Sequence, residues 1–474
     1  MNLSIKKIAD ITGGVLIKNG SMHETSGIST DTRTLRPGEA FFALTGENFD
    51  GNDYLEAAAA AGAAVIIGER KLKRKKLLDS AYVQVDNSLE ALQALAAYNR
   101  ARFPGRVVAI TGSVGKTTTK DILAHILSGY YGSAHTAKTW HNYNNEVGVA
   151  KTLLEINEDQ SVAVVEMAMR SRGEIGKLAH MVQPDYGIIT NVEPVHLETL
   201  GTIENIAAAK CEMLPYIAAN GKAVINGDQP WLEAAADEYD VEIVTFGYDR
   251  DCDCRIMEAL AEGDVLKLEL MWEDETYAVA FPLPVEALAY NVAAAFAVAM
   301  LMRVPVEVIK QQLQSFVSDP QRLQMISLNG GGLAINDTYN ANPASMQAAL
   351  QLLAHVTRGR RSVAVLGDML ELGEYDRIGH QLVGNAVENL AIDYLLTVGP
   401  KSREIARAAI ASGMSAEQVF SVADLASAEP VLARLADNSS VVLFKSSRAL
   451  TMEKLLEKWL TGLKAGSAGK QEDN

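Results

Sequence analysis

One stretch constrains this chain more than any other: Val107-Val-Ala-Ile-Thr-Gly-Ser-Val-Gly-Lys-Thr-Thr-Thr119. A β-branched apolar run ends in a glycine loop, and Lys116, a row of threonines and a helix-like segment follow. A strand, a turn and a helix start in this order build an anion site. The backbone N–H groups of Gly112, Ser113, Val114 and Gly115 face a phosphate together with the positive end of the helix. Lys116 reaches the β- and γ-phosphates, Thr117 offers its hydroxyl to Mg²⁺, and Thr118 stands beside it. The strict pattern wants a further glycine where this chain has Ile110, so the loop is a short TGxxGKT variant. A glycine turn before a helix is often only a tight connection. Lys-Thr in register after a strand favours nucleotide binding instead.

At 474 residues the chain has room for about three domains of ~150 residues. The formal charge of −16 argues against a general binder of nucleic acid or anionic membranes. Polyanionic substrates would therefore need a locally basic pocket. The chain's 3 cysteines make no disulfide framework, and Cys252 with Cys254 has no partner pair for zinc. A reduced, cytoplasmic setting is expected. The start, Met1 to Asp10, lacks the apolar core of a signal peptide. The longest clean apolar run, Val292 to Met302, is 11 residues, whereas a span needs ~20.

The pattern predicts an α/β protein of three domains. Residues 1–100 form a small α/β unit with helices at 53–62 and 88–102 and a strand at 63–67. The basic run Lys71–Lys76 is a solvated face. Residues 101–318 form a central P-loop ATPase-like domain whose parallel sheet takes strands near 107–111, 162–166, 186–190 and 223–226, covered on both faces. The alternation in 265–272 and 277–281 predicts a small antiparallel appendage, and 286–302 an Ala-rich helix. Residues 319–464 alternate strand and helix as a Rossmann-like sheet without GxGxxG. A disordered tail is expected at 465–474.

Companion residues decide which chemistry the loop serves. Glu166 ends an apolar strand at the sheet edge where ligands bind, and a carboxylate there suits Mg²⁺; a helix cap is the alternative. His196 follows another strand at the same edge, though a lone histidine is often structural. Lys210 sits in an apolar helix, where a lysine either snorkels to solvent or, desolvated, loses its proton and becomes reactive.

At this point the chain resembles a known family, the Mur ligases, ATP-dependent amide-bond-forming enzymes of peptidoglycan precursor synthesis. The resemblance runs over nearly the whole length. It is carried by Ser29-Thr-Asp-Thr-Arg33, Phe41 to Glu47, Phe49-Asp-Gly51, the phosphate loop, Asn144-Asn-Glu-Val-Gly148, Val165-Glu-Met167, Asn191 with His196, Ala209-Lys210, Asn226-Gly-Asp228, Asp337-Thr-Tyr-Asn-Ala-Asn-Pro343, Leu366-Gly-Asp-Met369 with Glu371-Leu-Gly373, and Lys445-Ser-Ser-Arg448. The strings at 337–343 and 367–373 match the branch that adds D-alanyl-D-alanine to UDP-N-acetylmuramoyl-tripeptide.

The resemblance implies two steps: ATP phosphorylates a carboxylate, and an amine then attacks the acyl phosphate. It implies two Mg²⁺ ions, one held by Thr117 and Glu166 and one near His196, with Lys210 carbamoylated as a ligand of the second. Lys116, Lys210, His196 and Glu166 are the catalytic set so implied. Asn291, Arg322, Asp337 and Asn340 match nucleotide contacts. Ser29, Asp31, Arg33, Thr45, Gly46 and Asp50 fall where the uridine-diphosphate end is held. Asn144 and Asn145 match substrate contacts, and Lys445 and Arg448 lie where dipeptide and acyl phosphate meet. A monomer with hinges near 100 and 319 is expected, its closure excluding water.

Departures from the family pattern are Tyr290 for a histidine, Ala294 for an asparagine, Gln321 before Arg322, Ser446 for a glycine, and Asn52 for a histidine. Two rival readings stay open. One is another amide ligase of the superfamily, folylpolyglutamate- or cyanophycin-synthetase-like. The other is a regulatory NTPase that ligates nothing.

Overall fold

The computed structural model describes residues 3–46, 49–71, 77, 79–193 and 197–468. Three large sheets follow in chain order, beside two two-stranded pairings among the described residues. In the first, strands Gly27–Ser29, Glu39–Phe42, Val65–Gly68 and Ala81–Gln84 run parallel, and Val15–Lys18 closes one edge antiparallel. Helix Ser88–Arg102 then leaves this sheet and packs on the central domain. Buried Asn99 donates from Nδ2 to the carbonyls of Leu153 (2.7 Å) and Ile156 (2.9 Å). Arg100 donates from Nε to Val182 O at 2.8 Å and pairs with Asp185 at 3.3 Å. One apolar core therefore runs from Ile8 and Leu92 through to Val107 and Val165.

The central sheet has nine strands. Its parallel part places Arg106–Thr111 between Val162–Glu166 and Tyr186–Ile189, the middle of the sheet. These strands read as continuous apolar runs because helices cover both faces. Val107, Val108, Ala109 and Ile110 are fully buried. Helix Ala289–Leu301 is buried on nearly every side, and its small side chains let it lie against the loop helix Lys116–Tyr131.

The segment expected as a separate appendage is instead the far edge of this same sheet. Strand Cys254–Glu262 pairs parallel with Glu242–Gly247, and Val265–Trp272 and Glu275–Phe281 follow antiparallel. The alternation was legible, but pairing through Cys254–Glu262 was not, because its outward residues are mixed polar and apolar. The tip of this hairpin reaches the third domain: His355 Nε2 contacts Gly263 O at 2.9 Å, and Arg358 pairs with Asp264 at 3.0 Å.

The third sheet orders Gln324–Ser327, Leu333–Asp337, Val441–Lys445, Ser362–Gly367, Tyr394–Val398 and Val419–Val422. All pairings are parallel except the first. The last helix, Glu453–Ala468, runs past residue 465, where the polar composition predicted disorder to begin. The basic run expected on a solvated face lies, from residue 72 to 76, outside the described residues. No described helix is long and apolar enough to cross a membrane.

Because Asn99 satisfies two carbonyls at the end of helix Glu146–Glu155, Asn99→Ala is expected to destabilise the chain by about 1–3 kcal/mol. Urea unfolding would register this as a lower midpoint with an unchanged slope.

Candidate active site

The apolar run Arg106–Thr111 delivers its C-terminal end to the phosphate loop, and helix Lys116–Tyr131 starts there with Gly115 at its N-cap. Gly112 has φ +149° and Gly115 φ +81°, values that side-chain-bearing residues rarely adopt. Space is closed as well. A Cβ on Gly112 would lie 1.9 Å from Thr190 Oγ1, and one on Gly115 would lie 2.4 Å from Asn291 Nδ2. The loop is braced from both sides. Asn191 accepts from Ser113 N through its carbonyl (2.9 Å) and from Val114 N through Oδ1 (2.8 Å), so these two amides, expected to face the phosphate, hold the loop instead. Thr190 Oγ1 donates to Val114 O at 2.7 Å. Asn291 Nδ2 donates to Gly115 O (3.2 Å) and Thr119 Oγ1 (2.9 Å).

Lys116 folds back on this loop, donating to Gly112 O at 2.7 Å and Ser113 O at 3.0 Å. Desolvation lowers its pKa, Glu166 opposes that shift, and Arg322 adds to it. Thr117 Oγ1 accepts from Arg322 Nη2 at 3.0 Å, and the Arg322 guanidinium lies 3.9 Å from the Tyr339 ring centroid. Arg322 thus carries the third domain to the loop.

Glu166 ends its strand 1% exposed. Oε1 accepts from Asn144 Nδ2 at 2.7 Å, and the backbone N–H donates to Thr139 Oγ1 at 2.9 Å. Oε2 has no hydrogen-bond partner among the described residues. A buried carboxylate oxygen without a hydrogen-bond partner fits a hard cation that completes its shell with phosphate oxygens and water. Among the described residues no three His, Cys, Asp or Glu side chains gather as a metal cage.

From the third domain, Asp337 and Lys445 pair across adjacent strands at 2.5 Å, and Lys445 also donates to Asn340 O at 2.9 Å. Loop, Glu166, Asn144, Asn145, Arg322, Asp337, Asn340 and Lys445 all line one cleft of about 1280 Å³. Asn87 and Glu90 of helix Ser88–Arg102 complete its rim.

Three family descriptions match in chain order: the Mur ligase family catalytic domain over residues 24–100, the Mur ligase middle domain over 110–299, and the Mur ligase glutamate ligase domain over 321–448. A UDP-N-acetylmuramoyl-tripeptide–D-alanyl-D-alanine ligase of a Synechocystis strain is 37% identical over 90% of each chain. The chain belongs to the Mur ligase family. A crystal structure of MurF from Acinetobacter baumannii superposes with TM-score 0.86 and 30% identity, over 97% of this chain and 99% of that one. A MurF ligase from Thermotoga maritima, crystallised in complex with ADP, has TM-score 0.80 and 28% identity over 93% and 98%.

Within this Mur ligase the expected site residues divide into three groups. Most meet in the cleft as described. His196 lies outside the described residues. Lys210 is buried in helix Ile203–Cys211, 2% exposed, behind the cleft wall rather than on it. Desolvation holds its pKa well below the ordinary value, and the charge of Lys116 lowers it further. It has no hydrogen-bond or ion-pair partner among the described residues.

The first-domain residues are not among those lining the cleft, and they pair locally in two sets. Asp31 accepts from Arg33 Nη2 at 2.6 Å, and with that bond its pKa falls to about 2. Ser29 Oγ donates to Asp31 O at 3.0 Å. Thr45 and Gly46 pair antiparallel with Phe49 and Asp50, and Asp50 Oδ1 accepts from Asn52 Nδ2 at 2.8 Å and pairs through Oδ2 with Arg70. Arg448 likewise stands outside the cleft lining, paired with Glu453 at 2.7 Å.

Sequence reading missed the bracing role of Asn191 and the fully buried Lys120. The cue for Lys120 was a second lysine one helical turn after Lys116, ahead of an apolar run. Tyr290, at the departure from the family's histidine, donates to Asp228 Oδ2 at 2.8 Å and meets Tyr248 edge-on at 5.3 Å.

The unfolded chain binds the proton that folded Lys210 refuses, so stability rises with pH in the interval below the ordinary lysine value of 10.5. Lys210→Met removes that cost. It is expected to raise the urea midpoint at neutral pH and to flatten its rise toward alkaline pH.

Proposed function

We propose that this chain joins D-alanyl-D-alanine to the terminal carboxylate of UDP-N-acetylmuramoyl-tripeptide, converting ATP to ADP and phosphate. The observation that carries this reading is the meeting of a phosphate loop, an open carboxylate oxygen on Glu166 and the Asp337–Lys445 pair in one cleft fed by three domains. The relatives and structures above bear the same activity in their names.

ATP takes the loop, and Lys116 leaves the carbonyls of Gly112 and Ser113 for the β- and γ-phosphates. Arg322 turns its guanidinium from Thr117 toward the same oxygens, which frees the Thr117 hydroxyl. Glu166 and Thr117 would hold one Mg²⁺, with His196 near a second. The ions, when bound, neutralise charge on the transferred phosphoryl group. The acceptor carboxylate takes the γ-phosphoryl group, the dipeptide amine attacks the acyl carbon, and phosphate leaves with the bonding pair. Such catalysis is mostly positioning and charge neutralisation. Asn144 and Asn145 line the acceptor's path, and Lys445 stands where dipeptide and acyl phosphate meet, with Arg448 reaching in on closure.

Lys210 is suited to carbamoylation. Burial lowers its pKa and so favours the neutral amine, the form that adds to CO₂ with loss of one proton to give an anionic oxygen ligand for the second ion. The first-domain cluster, Ser29 to Arg33 and Thr45 to Asp50, takes the uridine-diphosphate end. One chain supplies every part of the cleft, so a monomer suffices. The nucleotide-borne substrates set the reaction in the cytoplasm.

The test is phosphate release with UDP-N-acetylmuramoyl-tripeptide, with and without D-alanyl-D-alanine, and the mass of the product. Release that depends on both partners, with a product heavier by the dipeptide residue, is expected. Hydrolysis indifferent to the amine would replace the ligase reading with a non-ligating NTPase. Lys116→Ala is expected to lower ligation at least about 100-fold. Its thermal midpoint should stay near that of the parent, because the lysine's partners are loop carbonyls that the ligand replaces.

A further inference from the structure

Lys120 is fully buried and belongs to none of the roles above. It follows Lys116 by four residues, so the two share a face of helix Lys116–Tyr131, Lys116 toward the cleft and Lys120 one turn deeper. A buried cation is costly unless its surroundings answer it. Three groups from three segments do so. Asp121 Oδ1 is 3.4 Å from Nζ, Glu166 Oε2 is 3.8 Å away, and His141 O accepts at 3.4 Å. Asp121 is shared with Lys138, which pairs with it at 2.7 Å. At 3.8 Å the ammonium attracts Glu166 Oε2 without occupying it by a hydrogen bond.

His141 belongs to the loop between Thr139 and Asn145. Its φ of +47° turns the chain so that Asn142, Asn144 and Asn145 line the cleft. Asn144 in turn holds the other oxygen of Glu166. We infer that Lys120 is a positioning residue. Its ammonium ties the loop helix, the carboxylate of Glu166 and the carbonyl of His141 into one unit, leaving Glu166 Oε2 aimed and open for the metal. Lys120 is not among the residues lining the cleft. It acts through Glu166 and through the Asn144 loop. This role rests on the Mg²⁺–nucleotide reading of the cleft.

The experiment measures ADP binding to the full chain by calorimetry, with and without Mg²⁺, in the parent, Lys120→Met, Lys120→Arg, Glu166→Gln and the Lys120→Met/Glu166→Gln double variant. In the parent, Mg²⁺ should strengthen ADP binding. Absence of that effect would remove the metal reading itself, a failure distinct from that of Lys120. If Lys120 positions Glu166, Lys120→Met lowers the Mg²⁺ effect about tenfold or more. Lys120→Arg recovers most of it. In the Glu166→Gln background the second substitution should then cost nothing further, because both act through one carboxylate. An undiminished Mg²⁺ effect in Lys120→Met overturns the proposal. So does an equal loss with and without Mg²⁺, or a further tenfold loss in the double variant. Should Lys120→Met leave an unpaired charge that prevents folding, the double variant removes both charges and restores a folded chain. Its Mg²⁺ effect, set against that of Glu166→Gln alone, then decides the matter: equal effects support the positioning role and a further tenfold loss overturns it.

Discussion

A loop that binds phosphate must hold its own shape, because the amides that face the ligand cannot also be paired within the protein. Here the shape is imposed from outside the loop. Asn191 takes the N–H groups of Ser113 and Val114, Thr190 takes the carbonyl of Val114, and Asn291 takes that of Gly115. These braces come from the neighbouring strand end and from a helix about 180 residues away in sequence. They explain why the buried helix Ala289–Leu301 is part of the site although it is almost entirely apolar. Its one polar side chain at the loop fixes the N-cap glycine.

Charge is the second organising term. Lys116 and Lys120 both face a single strand-end carboxylate, Glu166, and Lys210 feels the charge of Lys116, in a chain whose formal charge is −16. Desolvation and mutual repulsion depress the lysines that have no anion of their own. A triphosphate brings the missing negative charge, and so binds where the protein is locally most short of it.

The strand ends were the most legible part of the sequence. Continuous β-branched runs closing on Gly112, Glu166 and Thr190 carry both the fold and the chemistry, since the sheet edge is where such runs release functional residues. Edge strands were less legible. Thr136–Lys138 and Val419–Val422 are short and half-buried, and their identity depends on a neighbour rather than on their own pattern. The Lys120 contacts were invisible for a different reason: they join segments whose separation in sequence says nothing of their meeting. The first-domain residues, expected to hold the uridine-diphosphate end, pair locally in two sets, Ser29 with Asp31 and Arg33, and Thr45 with Asp50 and Asn52. What the sequence did not convey is that neither set lines the cleft.

The hairpin tip at Gly263 and Asp264 touches His355 and Arg358 well away from the phosphate loop. The central and third domains thus touch beside the loop, through Arg322 on Thr117, and again at this tip. A swing of the third domain about the chain crossing alone would have to break the tip contact.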